Sequence, residues 1–409
     1  MRELNERSLS AVFAALVGEP RCVASGNFAT PRTLLRVFDV SVAEYRLHML
    51  LAQRDIPDRD GVTYETAFVG PAMRNHPRLD YVPCRLSLVP HLLARHRRPD
   101  VVLLHTTTPR DGRVSLGIET NILPAAIESA KRNGGIVVAQ ANPRMPYTFG
   151  DSEIDTEMID YLFEADEPLA SPALRENGAN EQRIGALVAG EVPHGATLQM
   201  GIGAVPDSVL DALVRHRDLG VWTEVFSDGV LRLHASGALA GDRAICTSFL
   251  FGSPALYSWV DRNRSVRLLR TETCNDPGTI AAQRRMTSIN AALQVDLYDQ
   301  ANASRIGGRI YSGIGGSTDF LVGAMHSDGG QSFITLPSWH DKSDSSTIVP
   351  RLSDVATHSQ HTAVVTEHGI ARVFGRSQSE QARNIIEQAA HPRAREGLLR
   401  AAREMQLLR

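Results

Sequence analysis

A chain of 409 residues exceeds the length at which a single hydrophobic core stops growing, so two domains are expected. Its 43% hydrophobic and 22% charged residues are those of a globular fold, and no stretch approaches the roughly 18 apolar residues of a membrane span. A formal net charge of -3 leaves no basic excess to neutralise a phosphate backbone, which argues against nucleic acid as a partner.

The N-terminal "MRELNERSLSAVFAALVGEP" places acidic residues ahead of a short apolar segment with no A-x-A-like cleavage site, and so reads as mature and cytoplasmic. Further along, "DVVLLHTTT" (100 to 108) and "GGIVVAQAN" (134 to 142) are short β-branched runs flanking the helical pattern "ILPAAIESAKRN". That alternation predicts a parallel α/β sheet. The polar segment 166 to 182 then predicts a boundary between a domain at 1–175 and another at 183–409. A second α/β series follows: "GATLQMGIG", "AVPDSVLDALVRH", "GVWTEVF", "RAICTSFLFG", "QSFITLP" and "HTAVVTEHG". Amphipathic helices from "RSQSEQARNIIEQAA" through "REGLLRAAREMQLL" close the second domain.

Several groups are candidates for chemistry. In "LQMGIGAVPDSVLDAL", Gly201 and Gly203 let the backbone turn tightly between a strand and a helix, beside free helix N-terminal donors. An anion site and a ligand-free βα turn both satisfy that pattern, and the third glycine of a dinucleotide fingerprint is missing. "YSGIGGSTDF" (311 to 320) sets Gly313, Gly315 and Gly316 where successive N–H groups form either an oxyanion nest or a plain turn. Glu224, at the end of "GVWTE", is ionised at its ordinary pKa and needs no partner base to act as a nucleophile; a solvated surface carboxylate is the competing reading.

Other groups read as structural. Cys22, Cys84, Cys246 and Cys274 lack C-x-x-C spacing, and His368 and His391 form no i, i+4 pair, so no metal is expected. Ser115, in "GRVSLGIET", lacks a G-x-S-x-G elbow. Glu367 repeats the setting of Glu224 and reads as a cap near the following turn, with a second active-site carboxylate as the alternative.

The order of segments resembles the acetyl-CoA hydrolase/transferase family across nearly the whole chain. The resemblance runs through "GNFATP" (26 to 31), "TTPRDGRVSLG", "AQANPRMPYTFGDS", "LQMGIGAVPDSVL", "TEVFSDGV", "INAALQVDL", "SGIGGSTDFLVGA", "STIVPRL" and "VVTEHGIARVFGRS". It implies two open α/β domains of CoA-transferase type with the active site between them. It also implies that Glu224 is the nucleophile, passing through an acyl-glutamyl anhydride to a γ-glutamyl-CoA thioester. Gly316 is implied in the oxyanion hole and in CoA contact with Gly315. Gly201, Ile202, Gly203, Ala204 and Val205 correspond to the CoA-binding turn, and Leu293 to a further contact. Acyl-CoA and a short-chain carboxylate are the implied substrates, with no metal, and a homodimer or larger homo-oligomer the implied assembly. "GNFATP" and "ANPRMPY" are the expected contributors to the acyl pocket. Acyl-CoA hydrolysis on the same glutamate is the alternative, and a noncatalytic CoA-binding protein a more distant one. Three positions depart from the family's pattern: Thr347 for a basic residue, His368 for a tyrosine and Arg393 for an acid.

Overall fold

The computed structural model describes residues 1–173 and 177–409; the expected domain end at Arg175 lies outside the described residues. The chain divides into two compact units. The first gathers Met1–Pro172, Ala244–Cys274 and Ile310–Gly315, and the second Ala173–Arg243, Asn275–Arg309 and Gly316–Arg409.

The first unit is built on eight strands in the order Arg2–Glu3, Tyr161–Glu164, Ile136–Ala141, Val101–Thr106, Arg21–Ala24, Tyr45–His48, Val62–Thr66 and Leu79–Tyr81. Every pairing is parallel. Parallel strands are covered on both faces, and the side chains sort accordingly: Val101 and Leu103 enter one apolar cluster, Val102 and Leu104 the other. On the first face Phe38 stacks edge-on against both Phe13 and Tyr45. The predicted helix forms as Leu123–Asn133, with Pro124 in its first turn and Gly134 ending it at φ 78°, a left-handed conformation that glycine adopts without a Cβ clash. Ile245–Thr247, Val266–Leu268 and Phe149–Gly150 add further parallel pairing.

The second unit orders its strands Gly369–Arg372, Ala363–Thr366, Gln331–Thr335, Met286–Ala291, Thr197–Met200 and Gly220–Trp222. All pair in parallel except the first two, which form an antiparallel hairpin. Ile334, Leu336, Val364 and Ala371 pack with Ile385, Ile386 and Leu398 of the closing helices. The first of these helices, Gln378–Asn384, starts on a Ser377/Glu380 capping box, and the last spans Pro392–Glu404. Among the described residues no helix is long and apolar enough to cross a membrane.

Candidate active site

Glu224 lies just past the strand Gly220–Trp222, which ends sooner than its apolar run suggests because Thr223 turns inward. The Thr223 hydroxyl donates to the carbonyl of Met200 at 3.0 Å, and the Met200 N–H returns a bond to that hydroxyl at 3.3 Å. This ties the exit of one strand to the exit of its neighbour, one residue before the Gly201–Val205 turn. Val225 and Phe226 are buried and anchor the chain on the far side of Glu224. The Ser-Asp-Gly turn then docks: Ser227 Oγ donates to Asp207 at 2.6 Å, and Gly229 packs so closely on Leu210 that a Cβ would lie 2.2 Å from its Cδ1.

The carboxylate of Glu224 is buried. Asn275 Nδ2 donates to its Oε2 at 2.8 Å. Asn275 is itself wholly buried and is followed by Asp276, which caps the helix Pro277–Ala281 by accepting from the N–H of Thr279. That helix packs against Ser317–His326 so tightly that a Cβ on Gly323 would lie 2.4 Å from Ile280 Cγ2. Gly316 is the N-cap of Ser317–His326, and a Cβ there would fall 1.7 Å from Glu224 Oε2 and 2.1 Å from Asn275 Nδ2. Only glycine leaves room for the carboxylate. The backbone of a helix N-terminus, the positive end of its dipole, therefore sits directly against the carboxylate oxygen.

Burial pushes the pKa of Glu224 up to about 7; the Asn275 hydrogen bond opposes this, and the negative charge of Asp319, buried in the first turn of the same helix, adds to it. A carboxyl group poised there is divided between acid and carboxylate at neutral pH, and its ionised form is more basic than an exposed glutamate.

The Gly201–Val205 turn adopts the expected strand–turn–helix form, with Thr197–Met200 leading in and Ala204–Ala212 leading out. Gly203 caps the helix at φ 127°, with no protein atom within 4 Å of a Cβ placed on it, and Val205 is buried against the core. The turn is thus open on one side and anchored on the other. Leu293 follows the strand Met286–Ala291, and its N–H is already bonded to Asn302 O at 2.8 Å. A ligand contact at Leu293 falls to its carbonyl or side chain. Gly315 belongs to the first unit, where its carbonyl accepts from Leu86. Of the anticipated site residues, Glu224 and Gly316 are in direct contact. Asn275, bonded to Glu224, and Asp319, whose charge acts on it, carry no sequence signal of their own.

The remaining candidates have structural partners. Ser115 Oγ donates to Thr148 O at 3.0 Å inside the first unit. Glu367 accepts from the Ser338 N–H at 2.9 Å and from the Ser338 hydroxyl, as a cap would. Of the departing positions, Thr347 donates to Pro337 O at 2.7 Å; His368 meets the ring of His391, and Arg393 lies over Trp339 and pairs with Asp344. None of the four cysteines forms a disulfide. Among the described residues no cluster of three or more His, Cys, Asp or Glu is arranged to hold a metal ion.

Known proteins resemble the chain throughout. Residues 21–171 match the acetyl-CoA hydrolase/transferase N-terminal domain and residues 252–402 the corresponding C-terminal domain. The 4-hydroxybutyrate coenzyme A transferase of Clostridium kluyveri is 35% identical over 96% of this chain and 94% of its own length. An acetyl-CoA hydrolase of Eremothecium gossypii is 30% identical over 69% of this chain and 50% of its own. Among solved structures, RipA of Yersinia pestis superposes with a TM-score of 0.91 at 27% identity, covering 99% of this chain and 100% of that one. The 4-hydroxybutyrate CoA-transferase of Porphyromonas gingivalis gives a TM-score of 0.83 at 31% identity, covering 99% and 98%. The chain belongs to the acetyl-CoA hydrolase/transferase family.

Proposed function

We propose that this enzyme moves CoA between an acyl-CoA and a short-chain carboxylate, with Glu224 as the nucleophile. The observation that carries the proposal is the buried Glu224 carboxylate, held by Asn275 and pressed against a glycine backbone with no space for a side chain. Relatives named as CoA-transferases and as acetyl-CoA hydrolases support it.

In the proposed sequence, a carboxylate oxygen of Glu224 attacks the thioester carbonyl and the CoA thiolate departs, leaving an acyl-glutamyl anhydride. The thiolate then attacks the glutamyl carbonyl of that anhydride, releasing the first carboxylate and forming the γ-glutamyl-CoA thioester. An acceptor carboxylate attacks this thioester and expels the thiolate, which takes the new acyl group from the resulting anhydride and frees Glu224. Each stage keeps an activated acyl bond, so the free energy of the thioester is conserved. Asn275 Nδ2 is the donor that stabilises charge on a glutamyl oxygen in this reading, with the helix dipole at Gly316 acting on the same oxygen, and one such donor is typically worth about 3 kcal/mol of barrier. The open Gly201–Val205 turn offers helix N-terminal N–H groups to the CoA moiety.

Hydrolysis is the second reading, favoured by the acetyl-CoA hydrolases among the relatives. Water in place of the acceptor carboxylate yields it, and excluding water a thousandfold corresponds to about 4 kcal/mol of discrimination. Free CoA release from acetyl-CoA, with and without a second carboxylate, separates the two. A transferase forms the new acyl-CoA with little net CoA release, whereas a hydrolase releases CoA at the same rate in either case. Glu224→Gln abolishes both activities if the proposal holds, and full activity in that variant overturns it.

A further inference from the structure

The helix that carries Gly316 at its N-cap begins Ser317-Thr318, and a single buried imidazole binds both hydroxyls. His358 Nε2 lies 2.9 Å from Ser317 Oγ, and Nδ1 lies 3.0 Å from Thr318 Oγ1. His358 is only 4% exposed. It sits on the short strand His358–Ser359, paired with Gln300–Asn302, and the preceding Thr357 N–H bonds Ala301 O at 2.7 Å. Three residues on, Asp299 accepts from the His361 N–H at 3.2 Å and contacts His361 Nδ1 at 2.9 Å, anchoring the same segment.

Burial, with the neighbouring His361, pushes the His358 pKa down to about 3, so the ring is neutral throughout the working range. A neutral imidazole has one donor nitrogen and one acceptor nitrogen, so it binds the two hydroxyls in opposite senses. Consecutive side chains on a helix lie about 100° apart around its axis. Two bonds to consecutive side chains therefore fix both the height and the rotation of the first turn. The next residue back is Gly316, where the fit to Glu224 leaves less than one atom of slack.

We propose that His358 is a positioning residue: through Ser317 and Thr318 it holds the Gly316 backbone against the Glu224 carboxylate, and so governs turnover rather than substrate affinity. This rests on the nucleophilic reading of Glu224. A displacement of about 1 Å at such a contact costs on the order of a hundredfold in rate.

The test measures kcat, KM for acyl-CoA and Tm in the full-length enzyme for His358→Ala, His358→Gln and the paired Ser317→Ala/Thr318→Val, with Glu224→Gln alongside. His358→Ala is expected to lower kcat by roughly ten- to a hundredfold with KM within about twofold. His358→Gln, which keeps a donor and an acceptor, should recover most of the loss. The hydroxyl-deleting pair should lose kcat to a similar degree with little change in Tm, and decides the matter if His358→Ala does not fold. Unchanged kcat in the hydroxyl-deleting pair, or a fall in Tm without a fall in kcat, overturns the proposal. If Glu224→Gln is inactive while the His358 and hydroxyl variants run at full speed, this inference alone fails; if Glu224→Gln is fully active, the nucleophilic reading fails first.

Discussion

Each compact unit holds a buried glutamate whose pKa burial raises to about 7, and in each a nearby asparagine donates to the carboxylate. Glu224, in the second unit, faces a helix N-terminus across a glycine that cannot accept a Cβ, with the charge of Asp319 close by. Glu119, in the first, receives the Gly26 N–H and Asn121 Nδ2 on one oxygen, both at 3.0 Å. Gly26 is glycine for a different reason: its Cβ would strike the carbonyl of Leu50 at 2.1 Å, not the carboxylate. The loop at Glu119 is strapped by its carboxylate, whereas the Glu224 carboxylate is held by one asparagine and lies against the N-cap of a helix. A raised pKa is common to both. What distinguishes a nucleophile is which atoms the fold brings against its oxygens.

The sharpest way to break this comparison is Gly316→Ala. With a Cβ 1.7 Å from Glu224 Oε2, the carboxylate or the helix must move. Steady-state assays should show a loss on the order of a hundredfold or more in kcat. Activity within a few-fold of the parent would mean that the contact is incidental.

Glu119→Gln probes the other glutamate through stability. The folded-state pKa of Glu119, about 7, lies above its ordinary value of 4.5. Below the lower value the group is protonated folded or unfolded and costs nothing. As pH rises between the two, folding must take up a proton and stability falls; above the higher value the full penalty applies, on the order of 3 kcal/mol. Denaturant unfolding should therefore find Glu119→Gln more stable than the parent by that amount at pH 8 and about equal at pH 4. An equal difference at both pH values would show that ionisation is not involved.

The pH profile gives the smallest and most specific effect. In the proposed mechanism the ionised form of Glu224 attacks, so kcat/KM should fall about tenfold per pH unit below the midpoint near pH 7. Asn275→Leu removes the hydrogen bond that favours the carboxylate, so the midpoint should move upward. A midpoint that stays put in this variant would detach Asn275 from the ionisation of Glu224.

How much of this the sequence discloses depends on how local the physics is. Val101–Thr106 and Ile136–Ala141 are legible because strands covered on both faces open with unbroken apolar runs, Val101 to Leu104 and Ile136 to Ala139, and the intervening helix declares itself through Pro124 and Gly134. Glu224 stands out through its position after an apolar run and through the family resemblance. The strand's early end is hidden, because it depends on the Thr223 hydroxyl finding the Met200 backbone. Asn275 is concealed because "NDPGT" reads as ordinary helix-cap chemistry, and only Asp276 is the cap. His358 lies 41 residues from Ser317, with no periodicity linking them. Glu119 sits inside "GRVSLGIET", where Ser115 attracts attention instead, and its raised pKa arises from burial that only the folded chain creates.

The most direct test of the central claim is covalent. Enzyme incubated with acyl-CoA, then digested and analysed by mass spectrometry, should carry CoA as a thioester on the peptide containing Glu224. Borohydride treatment of the same mixture should reduce that side chain to an alcohol and inactivate the enzyme in proportion. Turnover with no adduct at this residue, or an adduct on another side chain, would contradict the account.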